Sequence, residues 1–407
     1  MAAFPARLIL VAAALATVAG PLPARAAEDV KIGLLFDVTG PVANFVPPML
    51  DAARLAVDQV NAQGGILDGR KLVTVLADTQ GTANGAVTAA DKLVRIEHVS
   101  IVVGPLLAGT TLASALSVIG PAGVAQISPT ATTPALTALK DNDRVFRLVP
   151  SDAYQGRVLA RLLISKGLRR VALTYADNDY TVAIADAFRA AYLRLGGKLA
   201  ADLKHEENRP TYGAELAILA RGKPQALVLI AFAAAGGITL VKEALAGGFF
   251  TRFIGPDSLR DDLLIEQVGA EKLKTALFTA PVPPPASPSA EKFETAYAAA
   301  YQTTENKLYI QQAYDATFLA ALAIEKAGSL DHGRIRDALR GLCAPGGAVI
   351  GPADWERAVS VIKARKRITY EAASGDCNFD RNGDVAGVIG EFVVEDGHYK
   401  QVGLIGP

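Results

Sequence analysis

Three loops concentrate the side chains that can do chemistry. Gly104-Pro105-Leu106-Leu107-Ala108-Gly109-Thr110 follows the apolar run 101–103. The segment SPTATTPAL, residues 128–136, follows the apolar run 124–127 and carries Thr130, Ala131 and Thr132. Gly255-Pro256-Asp257-Ser258 follows the short run Phe253-Ile254. A strand that opens into Gly, Ser and Thr at the start of a helix presents backbone N–H groups without intrahelical acceptors. Such an end holds an anion, a carboxylate included, with no catalytic group. Asp257 offers the opposite chemistry, an acceptor for a cation. Each residue also has a plainer role by pattern alone. Thr130 and Thr132 could cap a helix, Tyr180 could pack at a helix start, and Asp257 could be an exposed loop carboxylate or N-cap.

Catalysis leaves no trace beside these loops. An enzyme site needs a nucleophile with its base, paired acids or metal ligands. The chain has no G-x-S-x-G, no P-loop and no Rossmann glycine fingerprint. Its four histidines, His98, His205, His332 and His398, show no ligand spacing and read as solvated surface. No metal and no cofactor is expected. Lys plus Arg and Asp plus Glu are 41 each, and no basic block interleaves with aromatics, which argues against nucleic acid as a partner.

The elements that must position the loops alternate between two periods. The run Val30-Lys31-Ile32-Gly33-Leu34-Leu35-Phe36 reads as a strand, 48–62 as a helix broken by Gly64-Gly65, and 71–77 as a second strand ending at Asp78. After Pro150 a second series begins: strand 170–175, helix 180–195, strand 226–231, helix 238–246 and strand 253–255. Strands alternating with helices predict an α/β protein of parallel sheets with right-handed crossovers. Two series in a chain longer than one core predict two lobes. PVPPPASPS, 281–289, cannot be helix and lacks strand donors, so it reads as a crossover at the hinge. A helix pair at 290–301 and 309–327 then returns to complete the first lobe. In the tail, 355–364 reads as a helix, and Asn382-Gly383 as a plain turn between strands rather than part of a calcium loop.

The ends set the compartment. Arg7, the apolar stretch 8–20 and Ala24-Arg25-Ala26 have the form of a cleavable export signal, so residues 1–26 are expected to be removed. Export places Cys343 and Cys377 where pairing is favoured, two separate buried thiols being the alternative.

Several segments, in order, resemble the periplasmic branched-chain amino-acid binding proteins, the leucine/isoleucine/valine-type receptors of ABC importers. They are VKIGLLFDVTGPVA, AVDQVNAQGGILDGRKL, IVVGP, ISPTATTPALT, FRLVPSDAYQG, NDYTVAIADAF, FIGPDSL, QQAYDATFLAALAIEKAG and YEAASGDCNFDRNGDV. The resemblance implies a type I periplasmic binding protein fold: two lobes, each a mostly parallel sheet flanked by helices, joined by a three-segment hinge. With crossings near Val149, Ala280 and Pro345, lobe 1 would hold 27–149 and 281–345, and lobe 2 would hold 150–280 and 346–407. It also implies a ligand site from Ala108, Gly109, Thr110, Thr130, Ala131, Thr132, Tyr180 and Asp257. Thr132 and the Thr130 backbone would take a carboxylate, Tyr180 would close over the ligand, and Asp257 would take an ammonium.

Two departures bear on the ligand. Ala108 stands where many members carry Ser, leaving its N–H and the neighbouring Thr110. Thr181 follows Tyr180 where the family has Gly. The loop 231–236, Ala-Phe-Ala-Ala-Ala-Gly, is stripped of polar groups and predicts an open apolar compartment for a large side chain. The implied function is capture of a small carboxylate-bearing ligand, an apolar amino acid, for delivery to an inner-membrane ABC permease by a periplasmic monomer. A receptor for aromatic or other organic acids or small amides is the alternative on the same fold, and a sensing module for a signalling partner is the alternative of another class.

Overall fold

The computed structural model describes residues 1–2, 28–303 and 307–405; residues 3–26 of the expected export signal lie outside them. The first lobe is built on a five-stranded, all-parallel sheet. Its strands are β1 (Val30–Phe36), β2 (Leu72–Asp78), β3 (Val102–Val103), β4 (Gln126–Ser128) and β5 (Val145–Arg147), in the order β2-β1-β3-β4-β5. Apart from half-buried Lys31, every residue of β1 is buried, as a central strand covered by helices on both faces requires. Pro47 and Pro48 open the Val46–Ala62 helix, where their missing N–H groups cost nothing.

The second lobe carries β6 (Arg170–Ala176), β7 (Lys198–His205), β8 (Leu227–Ile230), β9 (Phe253–Gly255) and β10 (Leu277–Val282). A small parallel pair, β11 (Ala348–Ile350) and β12 (Ile368–Tyr370), stands apart. The antiparallel hairpin β13 (Val388–Glu395) and β14 (His398–Ile405) then returns to β10. The order of the second sheet is β14-β13-β10-β9-β8-β6-β7.

Three expectations change. Proline was expected to end regular structure at residue 281, yet β10 runs through Pro281, opposite Ile389 of β13. β9 pairs only with Leu277 and Phe278. At Pro281 one side of the strand is therefore open, and there a missing N–H is tolerated. The hairpin turns at Asp396-Gly397, not at Asn382-Gly383. Asn382-Gly383 instead lies in a tight loop whose Gly383 carbonyl accepts the Arg147 N–H, while Asp384 pairs with the buried Arg147 at 2.8 Å.

The tail from residue 346 to about 387 was expected with the second lobe and packs on the first. Trp355, fully buried in the Trp355–Lys363 helix, donates its indole N–H to the Gly65 carbonyl at 2.8 Å. Asp315 of the Ile310–Ala327 helix accepts from Tyr370 and from the backbone of Ala373 and Ser374. A buried tryptophan and a buried carboxylate each need a partner: Trp355 of the tail finds it on the first lobe, and Asp315 of the first-lobe helix finds it on the tail. At Gly387, just before β13, the chain passes so close to Pro150 that a Cβ would stand 2.8 Å from its ring. Cys343 and Cys377 are joined as a disulfide within this region, Cα to Cα 5.6 Å. Among the described residues, no helix is long and apolar enough to cross a membrane.

Candidate ligand-binding site

The carboxyl ends of the two sheets face each other across a cleft, which is where open α/β sheets place ligands. A cavity of about 50 Å³ lies there. From the first lobe it is lined by Leu106, Leu107, Ala108, Thr130 and Thr132, and by Phe45 and Met49 at the start of the Val46–Ala62 helix. From the second come Tyr180, Phe232, Asp257 and Ser258, and the loop residues Leu308 and Tyr309 close it. Of the eight residues implied by the sequence, five line this cavity. Gly109 and Thr110 line the adjoining cleft beside Asp179 and Glu207, and Ala131 lines neither.

Local structure fixes what each first-lobe group can offer. Gly104, at φ +100°, lies so close under β1 that a Cβ would meet the Leu35 carbonyl at 1.9 Å, so only glycine turns the chain here. Buried Asp37, at the end of β1, accepts the Leu106 and Leu107 N–H groups at 2.7 and 3.1 Å. The expectation of a wholly free row of backbone donors is thus corrected: two are spent on Asp37. Ala108 begins the Ala108–Ser114 helix, so its N–H and that of Gly109 have no intrahelical acceptor. Thr110 does not replace the missing serine, because its hydroxyl donates to the Leu107 carbonyl at 3.0 Å. The Thr130 hydroxyl is likewise bound to the Leu106 carbonyl, and the Ala131 N–H to the Ser128 hydroxyl. Thr133 caps the following helix, which leaves Thr132, buried at the cavity wall, without the capping role the pattern allowed.

On the second lobe, Asn178 caps the Asp179–Arg194 helix through the N–H groups of Tyr180 and Thr181 and so sets the tyrosine's direction. The Tyr180 hydroxyl reaches Asp257 Oδ1 at 3.2 Å and Ser258 Oγ at 3.1 Å. Gln155 Nε2 donates to Asp257 Oδ1 at 2.6 Å, and the Tyr309 hydroxyl to Oδ2 at 2.6 Å. Asp257 is thus a buried carboxylate with three donors, not an exposed one. Burial still pushes its pKa up, those hydrogen bonds pulling the other way. Phe232 does not leave an open compartment. Its ring packs on Tyr180, centroids 5.4 Å apart, and closes the apolar wall.

Sequence reasoning passed over Asp152, the first residue of the Asp152–Ser165 helix. It is fully buried, its N–H donates to the Thr132 carbonyl, and neither carboxylate oxygen makes a hydrogen bond of normal geometry. Burial holds its pKa well above the ordinary 3.8, and the Asp257 charge adds to this, while the Thr132 hydroxyl and Arg147 act against it. His205 is also buried rather than solvated. It bonds the Thr174 hydroxyl, and burial lowers its pKa to about 4.

The raised pKa of Asp152 has a measurable consequence. The native state keeps a proton that the unfolded chain releases above about pH 4, so this group's contribution to stability is lost as pH rises toward its native pKa. Asp152→Asn cannot ionise. It is expected to raise Tm relative to the wild type at pH 8, with the gap closing toward pH 4 in a series of thermal melts. A variant less stable than wild type at every pH would show that the carboxylate is needed in its charged form.

The family model described as periplasmic binding protein matches residues 29–367, more than four-fifths of the chain. The chain belongs to this family of binding proteins. Among curated relatives, the Leu/Ile/Val-binding protein BraC3 of Rhizobium johnstonii is 37% identical over 170 residues, which is 42% of this chain and 45% of that protein. The leucine-, isoleucine-, valine-, threonine- and alanine-binding protein of Pseudomonas aeruginosa is 25% identical over 374 residues, 92% of this chain and 91% of that one. Among solved structures, the branched-chain amino acid transporter substrate-binding protein LivJ of Streptococcus pneumoniae, in complex with isoleucine, superposes with a TM-score of 0.76. It is 26% identical and covers 92% of this chain and 100% of that one. The α/β fold with two mostly parallel sheets, expected from the sequence, is the type I periplasmic binding fold.

Proposed function

We propose that this binding protein captures an apolar α-amino acid between its lobes and hands it to an ABC permease. The observation that carries the reading is the charge around the cavity. Asp257 lines it, and no Lys, Arg or His is among the lining residues. A buried carboxylate needs a cation or donors. Asp257 has three donors but no cation among the described residues, and a ligand ammonium would supply one. The ligand carboxylate would sit opposite, on the N–H groups of Ala108 and Gly109 and the Thr132 hydroxyl. Phe45, Met49, Leu106, Phe232 and Leu308 would hold an apolar side chain.

The cavity is narrow as the lobes stand, about 50 Å³, and an amino acid is expected to enter with the lobes parted. The hinge strands supply that motion, with lobe 1 taken as residues 28–149 plus 283–387, and lobe 2 as 150–282 plus 388–405. Asn44 Nδ2, on the first lobe, donates to Asp261 Oδ2 on the second at 2.6 Å and would latch the closed form. A ligand that binds the closed form better shifts the population toward it.

Titration calorimetry of leucine and isoleucine against 4-methylpentanoate, which has the leucine skeleton without its amine, tests the reading. The amino acids are expected to bind, and the deaminated acid to bind at least about 30-fold more weakly, a difference of about 2 kcal/mol for a lost charged hydrogen bond. Equal binding, or preference for the acid or for benzoate, would favour the organic-acid reading, which Ala108 supports because it provides no hydroxyl. Residues 1–26 would direct export to the periplasm. N-terminal sequencing of the periplasmic protein is expected to start near Ala27; an intact Met1 would refute it.

A further inference from the structure

A carboxylate in the first turn of a helix is ordinarily held by that turn's free N–H groups. Asp152, which opens the Asp152–Ser165 helix, lacks that support. Its own N–H donates to the Thr132 carbonyl at 2.8 Å, and those of Ala153, Tyr154 and Gln155 all end on Ser151. The side chain is fully buried, and neither oxygen makes a hydrogen bond of normal geometry. Buried Arg147, on β5, is the cation that acts on it. That guanidinium is already engaged by Asp384 at 2.8 Å, the Thr133 carbonyl at 2.9 Å and the Thr137 hydroxyl at 2.8 Å. From the second lobe Asp257 adds a like charge. Tyr180 and Tyr309 also feel Asp152, as phenols that burial keeps neutral. An ionised carboxylate is disfavoured in such surroundings, and burial raises the Asp152 pKa well above its ordinary value.

The group that faces it is the Thr132 hydroxyl, and Thr132 also lines the ligand cavity. A hydroxyl has one proton to donate. Beside ionised Asp152, Thr132 donates to that carboxylate and offers a ligand carboxylate only lone pairs. Beside neutral Asp152, it accepts the carboxylic O–H, and its own proton is free to point into the cavity.

We propose that Asp152 is a positioning residue for the carboxyl end of the ligand: as a neutral acid it donates to Thr132 and turns the Thr132 hydroxyl toward the ligand carboxylate. Binding then selects the protonated form, and protein that is ionised at Asp152 takes up one proton from solvent as the ligand enters. The inference rests on the reading that a carboxylate sits at Thr132, and adds which protonation state receives it.

Titration calorimetry of leucine in two buffers of unlike ionisation enthalpy, repeated from about pH 6 to about pH 8.5, counts the protons exchanged. Asp152→Asn cannot ionise, and its amide N–H still donates to Thr132. It therefore separates this proton from any exchanged at Asp257. Uptake by the wild type is expected to exceed that of Asp152→Asn, by a fraction of a proton that grows with pH. Wild-type affinity is expected to fall relative to the variant, by up to about ten-fold per pH unit above the native pKa of Asp152. At about pH 6, Asp152→Asn should bind leucine within about three-fold of the wild type, and Asp152→Ala, without a donor, about ten-fold more weakly. A merely structural role would move the affinity and not the proton count. Equal proton counts in the wild type and Asp152→Asn across the range overturn the proposal. Should that variant not fold, Thr132→Val decides instead: the uptake is expected to vanish with the hydroxyl, and unchanged uptake overturns the proposal. If leucine does not bind, the amino-acid reading falls and 4-methylpentanoate or benzoate, each with a carboxylate, carries the same test; binding of none of the three removes both.

Discussion

Replacement of Asp257 by alanine is expected to weaken amino-acid binding by about 30- to 1000-fold. The ammonium of a closed-in amino acid would lose its charged acceptor, a loss on the order of 2–4 kcal/mol. Three donors lose theirs as well: Gln155 Nε2 and the Tyr180 and Tyr309 hydroxyls all end on this carboxylate. The measured effect is therefore the cost of truncation and includes their rearrangement. Asp257→Asn should be milder, because its amide oxygen still accepts from Gln155 and Tyr180. The sign separates ligand classes. For an acid with no amine, Asp257→Ala is expected to be neutral or to improve binding, since a like charge is gone. Thr132→Val should weaken both classes, each having a carboxylate. Calorimetric titration of the three variants reads out all of this. Full affinity in both Thr132→Val and Asp257→Ala would show that the ligand sits elsewhere.

The parts of this arrangement that follow local rules were legible in the chain. The two βα series and the loops that follow the strands at Gly104 and Ser128 all depend on residues near one another in sequence. Their strand and helix periods differ sharply. Partnerships across long separations were not legible. Asp37 gives no local sign that it will accept the Leu106 and Leu107 N–H groups, 69 and 70 residues away. Asp152 reads as an ordinary first-turn helix acid until the fold buries it behind Thr132. The contacts of the tail with first-lobe residues were hidden for the same reason. The Trp355 helix is amphipathic on any reading, but nothing beside it in sequence says that its partner is the Gly65 carbonyl, 290 residues away. Phe232 shows the limit of composition: a polar-free loop predicted open space, and one ring was enough to fill it.

The Cys343–Cys377 bond makes a prediction of a different kind, one carried by the unfolded chain. Its ends are 34 residues apart, and both cysteines are buried. In the chain-entropy model a loop of that length is worth about 3–4 kcal/mol, although the entropic origin of such stabilisation is disputed. For a chain of this size that corresponds to a fall in Tm of about 4–5 °C in the Cys343→Ser/Cys377→Ser double variant. The native structure inside the loop has its own anchors: Trp355 on Gly65, and Asp315 on Tyr370 and the backbone of Ala373 and Ser374. Those contacts survive the substitution, so the variant should still fold. None of the loop's residues lines the ligand cavity, so its affinity for an amino acid should be unchanged. Lower Tm with unaltered affinity is the signature of a staple that constrains the unfolded state. Lower Tm together with weaker binding would mean that the loop helps to set the hinge. Intact-mass analysis of alkylated, non-reduced protein comes first: two alkylatable thiols in native material would remove the bond and this prediction with it.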